Sequence, residues 1–212
     1  MIVLPTRGRP DSLQRFFDIG RPHLAGVVVL DEDDQHHYAA VRLPPNWRRL
    51  VFPRRPVAPL MNAVFEMNPN EPWYGLMGDD VVCETPDWDV VLSESCRRDF
   101  IAWGDDGIAG KPSHPFLHGD LVRAMGFVSP PGFRHLYTDT VIEHIATALR
   151  IGRYHPEVKT THWHFSTGRS PMDATYRERP IAGDAERYDA FMRNEFSALV
   201  IRLERRLRPP RQ

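Results

Sequence analysis

The chain has 212 residues, 42% hydrophobic and 26% charged, with a formal net charge of -1. That length suits one well-buried domain and would cramp two. The near-zero charge gives no global pull toward a polyanion, and no run approaches the roughly 18 apolar residues of a membrane span. Met1 leads directly into Ile2-Val3-Leu4 with no basic region before it, so a secretory signal is not expected. Cys83 and Cys96 lack metal-ligand spacing and are expected to stay reduced, as in a cytoplasmic protein. The 20 prolines fall mostly between the apolar runs, which predicts long shaped loops on a compact scaffold.

Residues 1–4 form a first short strand, ended by Pro5-Thr6-Arg7-Gly8-Arg9-Pro10. Asp11 or Ser12 is placed to cap a helix beginning at Leu13. The basic loop lies before the positive end of that helix, so it suits a phosphate, or it is a surface loop carrying two arginines. Gly26 to Leu30 is continuously apolar, as in a parallel strand covered on both faces, and runs into Asp31-Glu32-Asp33-Asp34. Acids at that end of an open α/β sheet meet a base or ribose, or they favour the first turn of a following helix. Leu50-Val51-Phe52 reads as a third strand, and Ala58 to Met67 as a helix with Leu60, Val64 and Met67 on one face. Asn62 on that helix either faces solvent or joins the nucleotide-binding candidates by bonding something specific.

The stretch Trp73 to Val82 holds Gly78-Asp79-Asp80 between apolar residues. Adjacent carboxylates there are costly unless a cation shares them, so they form either a solvated turn or a place to hold a divalent metal against phosphate. Trp88 to Arg98 is a predicted helix, Phe100 to Trp103 a strand with a second acidic turn after it, and Phe116 to Phe127 a strand entering a short helix. Thr140 to Arg150 is an amphipathic helix with Val141, Ile145, Ala148 and Leu149 inward and Thr138 or Asp139 as its cap. His162 and His164 alternate on a predicted strand, and same-face histidines suit a metal or a polar network. Ala185 to Leu207 reads as one amphipathic helix ending in arginines. The alternation of strands and helices predicts an α/β fold with a mostly parallel central sheet flanked by helices.

In this order the motifs resemble those of a GT-A-fold glycosyltransferase, family-2-like. The residues that carry the resemblance are 3–10, Asp31, Asp33, Gly78-Asp79-Asp80, Asp139, His162-Trp163-His164 and Asp173-Ala174-Thr175-Tyr176. It implies a single Rossmann-like GT-A-type domain over about residues 1–180, with a nucleotide-binding half to about residue 98 and an acceptor half beyond it. Residues 181–212 are then a C-terminal helical extension.

The resemblance further implies that Pro5, Thr6, Arg7 and Arg9 line the nucleotide pocket and that Asp31 or Asp33 meets the base. Asp79 would contact the ribose and the metal, Asp80 with His162 or His164 would hold Mn2+ or Mg2+, and Asp139 would be the base of an inverting transfer. Two positions depart from the family pattern. Gly78 stands where an Asp-any-Asp motif starts with an acid, and Thr138 stands where many relatives carry one. The implied donor is a nucleoside-diphosphate sugar, with uridine diphosphate sugars the commonest. The acceptor is a glycan, a protein, a small molecule or a modified nucleic acid. The competing readings are a sugar nucleotidyltransferase and a non-catalytic nucleotide-sugar-binding module.

Overall fold

The computed structural model describes residues 1–108, 110–163, 165, 168–170, 172–173, 177 and 181–207. Its strands are β1 (Ile2–Thr6), β2 (Gly26–Asp31), β3 (Trp47–Phe52), β4 (Trp73–Leu76), β5 (Val81–Cys83), β6 (Ile101–Asp105), β7 (Phe116–His118) and β8 (Gly152–His162). They form an 8-stranded sheet in the order β3-β2-β1-β4-β7-β6-β8-β5. The expected parallel pairing joins β3, β2, β1 and β4, and it recurs between β6 and β8. Antiparallel ladders join β4 to β7, β7 to β6 and β8 to β5.

Successive strand residues point to opposite faces, and the two faces carry separate cores. Val3, Val27, Val29 and Tyr74 face one cluster, while Ile2, Leu4, Val28 and Leu30 face the other. On the first side lie α2 (Val57–Met67), α4 (Gly119–Met125) and α5 (Thr138–Leu149). With them pack α6 (Ile181–Asn194) and α7 (Phe196–Leu207), which insert Phe191, Leu199 and Leu203 into the same core. On the other side α1 (Pro10–Gly20) and α3 (Trp88–Asp99) contribute Leu13, Phe16, Phe17, Trp88 and Leu92. Each such side chain stabilises the fold by about 1.5–3 kcal/mol relative to exposure.

Several local expectations are corrected. Helix α1 starts at Pro10, with Arg9 at the cap position, so Asp11 and Ser12 lie inside its first turn. Proline needs no amide partner there, which is why the helix reaches back to it. Helix α5 starts at Thr138, so the cap position is Tyr137, in the left-handed region at φ 65° with no side-chain cap. The acids after β2 lead into only a 3-10 turn, Gln35–Tyr38, rather than a longer helix. Met67, expected on the buried face of α2, is exposed. The single C-terminal helix predicted from Ala185 is two helices that break at Glu195. No described helix is long and apolar enough to cross a membrane.

Candidate active site

Three parallel strands, β1, β2 and β4, end at one edge of the sheet, and their carboxyl ends floor a cavity of about 670 Å3. Thr6 closes β1, Asp31 closes β2, and Gly78-Asp79-Asp80 follows β4. Crevices at this end of a parallel sheet are where open α/β folds bind ligands, since loops there diverge and backbone groups remain unpaired. Pro5, Thr6, Arg7, Arg9, Asp31, Asp79, Asp80, Asp139 and His162 all line this cavity. The candidate residues on these elements therefore converge in space.

Asp79 is buried, and its carboxylate accepts from Thr6 Oγ1 at 2.6 Å and from Arg9 Nη1 at 3.1 Å. Burial, reinforced by the neighbouring Asp80 charge, pushes its pKa up to about 6 despite those donors. Arg9 also reaches Asp80 at 3.4 Å and grips Asp173 through Nε at 2.7 Å and Nη2 at 3.0 Å. One guanidinium thus stands among three carboxylates. Arg7 donates to Asp31 at 2.9 Å and to both oxygens of Asp33 at 2.7 and 2.9 Å. The second Asp31 oxygen, Oδ1, is buried with no hydrogen-bond partner.

His162 reaches Asp80 through strand pairing. A register shift between Gly104 and Asp105 lets the far end of β8 leave β6, and β8 pairs with β5 so that His162 stands opposite Val81. The Trp163 amide then donates to the Asp80 carbonyl at 2.7 Å, and His162 Nε2 lies 3.2 Å from Asp80 Oδ2. Burial lowers the His162 pKa, but the hydrogen bond and charge of Asp80 outweigh it and the net shift is upward.

A third group, His114, comes from the loop before β7. Its ring packs edge-on against His162 with centroids 5.0 Å apart, and its Nδ1 is buried without a partner. Burial, followed by the charge of His162, pushes its pKa down to about 3, so the imidazole is neutral. Ligand atoms of Asp80, His114 and His162 all lie within 4.8 Å of one another. Gly78 leaves the room for this: a Cβ there would sit 2.8 Å from Asp80 Oδ1 and 3.1 Å from His114 Nε2. Two imidazoles and a carboxylate, with one ring nitrogen neutral and unpaired, fit a divalent first-row metal such as Mn2+. His114 escapes notice in the sequence because it stands in Lys111-Pro112-Ser113-His114-Pro115, outside any periodic segment and far from Asp80 along the chain.

Asp139 sits in the first turn of α5, where its Oδ1 accepts from the Thr140 amide at 2.8 Å. Burial raises its pKa above the ordinary carboxylate value more than that contact lowers it. The segment leading to it is held from α6: Asp184, fully buried, accepts the Arg134, His135 and Leu136 amides at 2.9, 2.8 and 2.7 Å.

Two expected nucleotide contacts lie elsewhere. Asn62 donates to the Ser129 carbonyl at 2.8 Å and accepts from the Val128 and Ser129 amides, so its amide is committed to a loop rather than to the cavity. Asp33 is half exposed and lies beyond the cavity lining, where it holds Arg7. His164 and residues 174–176 lie outside the described residues, as does Arg208.

No protein-family model and no curated protein sequence matches the chain. Among solved structures, it is similar to a mannosyltransferase, PcManGT from Pyrobaculum calidifontis, in complex with GDP-Man and Mn2+. The TM-score is 0.54 at 11% identity, over 97% of this chain and 73% of that one. A putative glucose-1-phosphate thymidylyltransferase from Bacillus anthracis, in complex with a sucrose, aligns more loosely. Its TM-score of 0.45 and 8% identity, over 84% of this chain and 95% of that one, carry no weight here. At such identities the likeness speaks for architecture alone, and the chain shares the α/β fold of that mannosyltransferase.

Proposed function

We propose that the protein is a metal-dependent glycosyltransferase that moves a sugar from a nucleoside-diphosphate sugar to an acceptor hydroxyl with inversion. The observation that carries this reading is a single cavity lined by both a carboxylate–imidazole cluster and a separate buried carboxyl, Asp139. Pro5, Thr6, Arg7, Arg9, Asp31 and Asp79 are assigned to the nucleotide, with Asp33 acting through Arg7. The unpartnered Asp31 oxygen is an acceptor for a donor group of the base. Asp80, His114 and His162 would hold a divalent metal, and their two imidazoles favour Mn2+ over Mg2+; when bound it supplies positive charge against the diphosphate leaving group. We assign the nucleotide-binding half to about residues 1–98, the acceptor half to about 99–180, and the remainder to a C-terminal extension that includes α6 and α7.

The protein groups have distinct tasks. Arg9 offsets Asp79 and Asp80 before the donor enters, and its guanidinium suits a phosphate oxygen once the donor is in place. Asp139 takes the proton of the attacking hydroxyl, which requires its ionised form. General-base help of this kind is worth roughly 10²–10⁴-fold.

The test is a screen of UDP- and GDP-sugars for Mn2+-dependent release of the nucleoside diphosphate. The expected result is release by the wild type and loss of it in Asp80→Asn, together with weaker Mn2+ binding by calorimetry. Pyrophosphate release from a nucleoside triphosphate and a sugar phosphate, with no diphosphate release, would instead identify a nucleotidyltransferase.

A further inference from the structure

The first turn of α2, which follows the loop after β3, meets the loop before α5 beside the cavity, where the Ala58 amide donates to the Arg134 carbonyl at 3.0 Å. Arg55 on the first loop and Arg134 on the second both line the cavity and are exposed to solvent. The arginines at the cavity floor are matched to acids: Arg7 to Asp31 and Asp33, Arg9 to Asp79, Asp80 and Asp173. The rim pair is different. Arg55 lies over the Phe52 ring at 5.5 Å and reaches the Pro53 carbonyl at 3.5 Å. Arg134 is engaged through its backbone, its amide by Asp184 and its carbonyl by Ala58. Among the described residues, neither guanidinium meets a carboxylate.

This local excess of positive charge lies in a chain of net charge -1, so it is not part of a generally basic surface. It also shares a short segment, 134–139, with Asp139. We propose that Arg55 and Arg134 bind a phosphate group of the acceptor, so that the hydroxyl receiving the sugar belongs to a phosphate-bearing molecule. The proposal rests on the transferase reading above, in which the metal cluster and Arg9 already face the donor's diphosphate. Guanidinium presents a planar fork of donors that matches phosphate oxygens, and two forks on adjoining loops suit a group of nearly two negative charges better than a single carboxylate. The Asp184 contacts fix the backbone from which Arg134 projects, leaving little loop ordering to oppose binding.

Calorimetry on the full chain tests this with ribose 5-phosphate as a monoester, a short single-stranded oligonucleotide as a diester, and glucuronate as a carboxylate control. Each titration is run with the nucleotide site filled by Mn2+ and GDP or UDP, and again without nucleotide. One phosphate probe is expected to bind under both conditions, which identifies whether monoester or diester is the source, and glucuronate is expected to bind at least about tenfold more weakly. Arg134→Ala and Arg55→Ala should each weaken the probe about tenfold, and Arg134→Lys should weaken it less, while nucleotide affinity and melting temperature stay unchanged. Absence of binding by both phosphate probes overturns the proposal. Undiminished binding in the double variant does the same. So does displacement of the probe by nucleotide, which would assign the arginines to the donor. If the chain ignores every nucleotide yet loses the phosphate probe on Arg134→Ala, the phosphate site stands and the transferase reading falls.

Discussion

A relay of hydroxyls sets the geometry of the buried acid. The Arg9 amide donates to the Tyr38 oxygen at 3.1 Å, Tyr38 meets Thr6 Oγ1 at 2.9 Å, and Thr6 donates to Asp79 at 2.6 Å. Burial pushes the Tyr38 pKa up to about 12, so the phenol keeps its proton at any working pH. Tyr38→Phe leaves the Arg9 amide without its acceptor and should cost about 1–3 kcal/mol of stability in chemical denaturation, with weaker nucleoside-diphosphate binding. For Asp139 the sign of the pH effect follows from its raised pKa. The folded state holds that proton more tightly than the unfolded chain, so the stabilisation is present at low pH and lost as pH rises through the folded pKa. Asp139→Asn is therefore expected to melt above wild type at pH 8 but not at pH 4, and to abolish transfer while donor binding persists. The acid limb of wild-type turnover should lie above the usual carboxylate range. A limb at ordinary carboxylate pH would remove Asp139 from the base role. Elsewhere, His155 bridges Ser95 and Glu157 at 2.7 Å on each side, in the order of a hydrolase triad. Ser95 is fully buried and its hydroxyl donates to Asp99 at 3.2 Å, so a fluorophosphonate probe should leave it unlabelled.

At the scale of elements, β1, β2 and β4 were legible from their apolar runs, while most of β8 and the pairing that builds the metal cluster were not. His162 was visible as a histidine on a strand, but its position beside Asp80 depends on β8 changing partners from β6 to β5. That exchange follows a register shift in which residues 156–158 of β8 are extra opposite Gly104 and Asp105, and Pro156 is its one trace in the sequence. The caps of α1 and α5 were misjudged for separate reasons: Pro10 suits the first helical position of α1, and α5 begins at Thr138 because tertiary contacts hold the loop before it. Asp184 is the clearest of those contacts. Asp184→Ala removes the acceptor of three amides and should cost on the order of 3–5 kcal/mol by denaturant unfolding. Asp184→Asn, which retains an acceptor oxygen, should cost less. Equal losses in the two variants would mean that the three hydrogen bonds are not what holds the loop.

Across the whole molecule, the α/β class and the strand–helix order could be read from residues 1–98 because short apolar runs alternate there with helical segments, even though β3 is largely exposed. The later half was harder. Its strands are short or bent, its ladders run antiparallel as well as parallel, and His114 lies in a loop between prolines. The joint placement of Asp80, Asp139 and His162 around one cavity was legible in outline, whereas Asp33, expected there from its place after β2, turns to Arg7, and Asn62 bonds the 128–129 backbone. The grip of Asp184 on the 134–136 amides also sets an order of events during synthesis. A ribosome adds about 5–20 residues per second, so the loop amides emerge some seconds before the carboxylate that organises them. Until α6 is made, a nascent chain has its donor-side strands but no ordered segment to carry Asp139. On the proposed function, the segment that carries the base is therefore the last part of the site to be ordered.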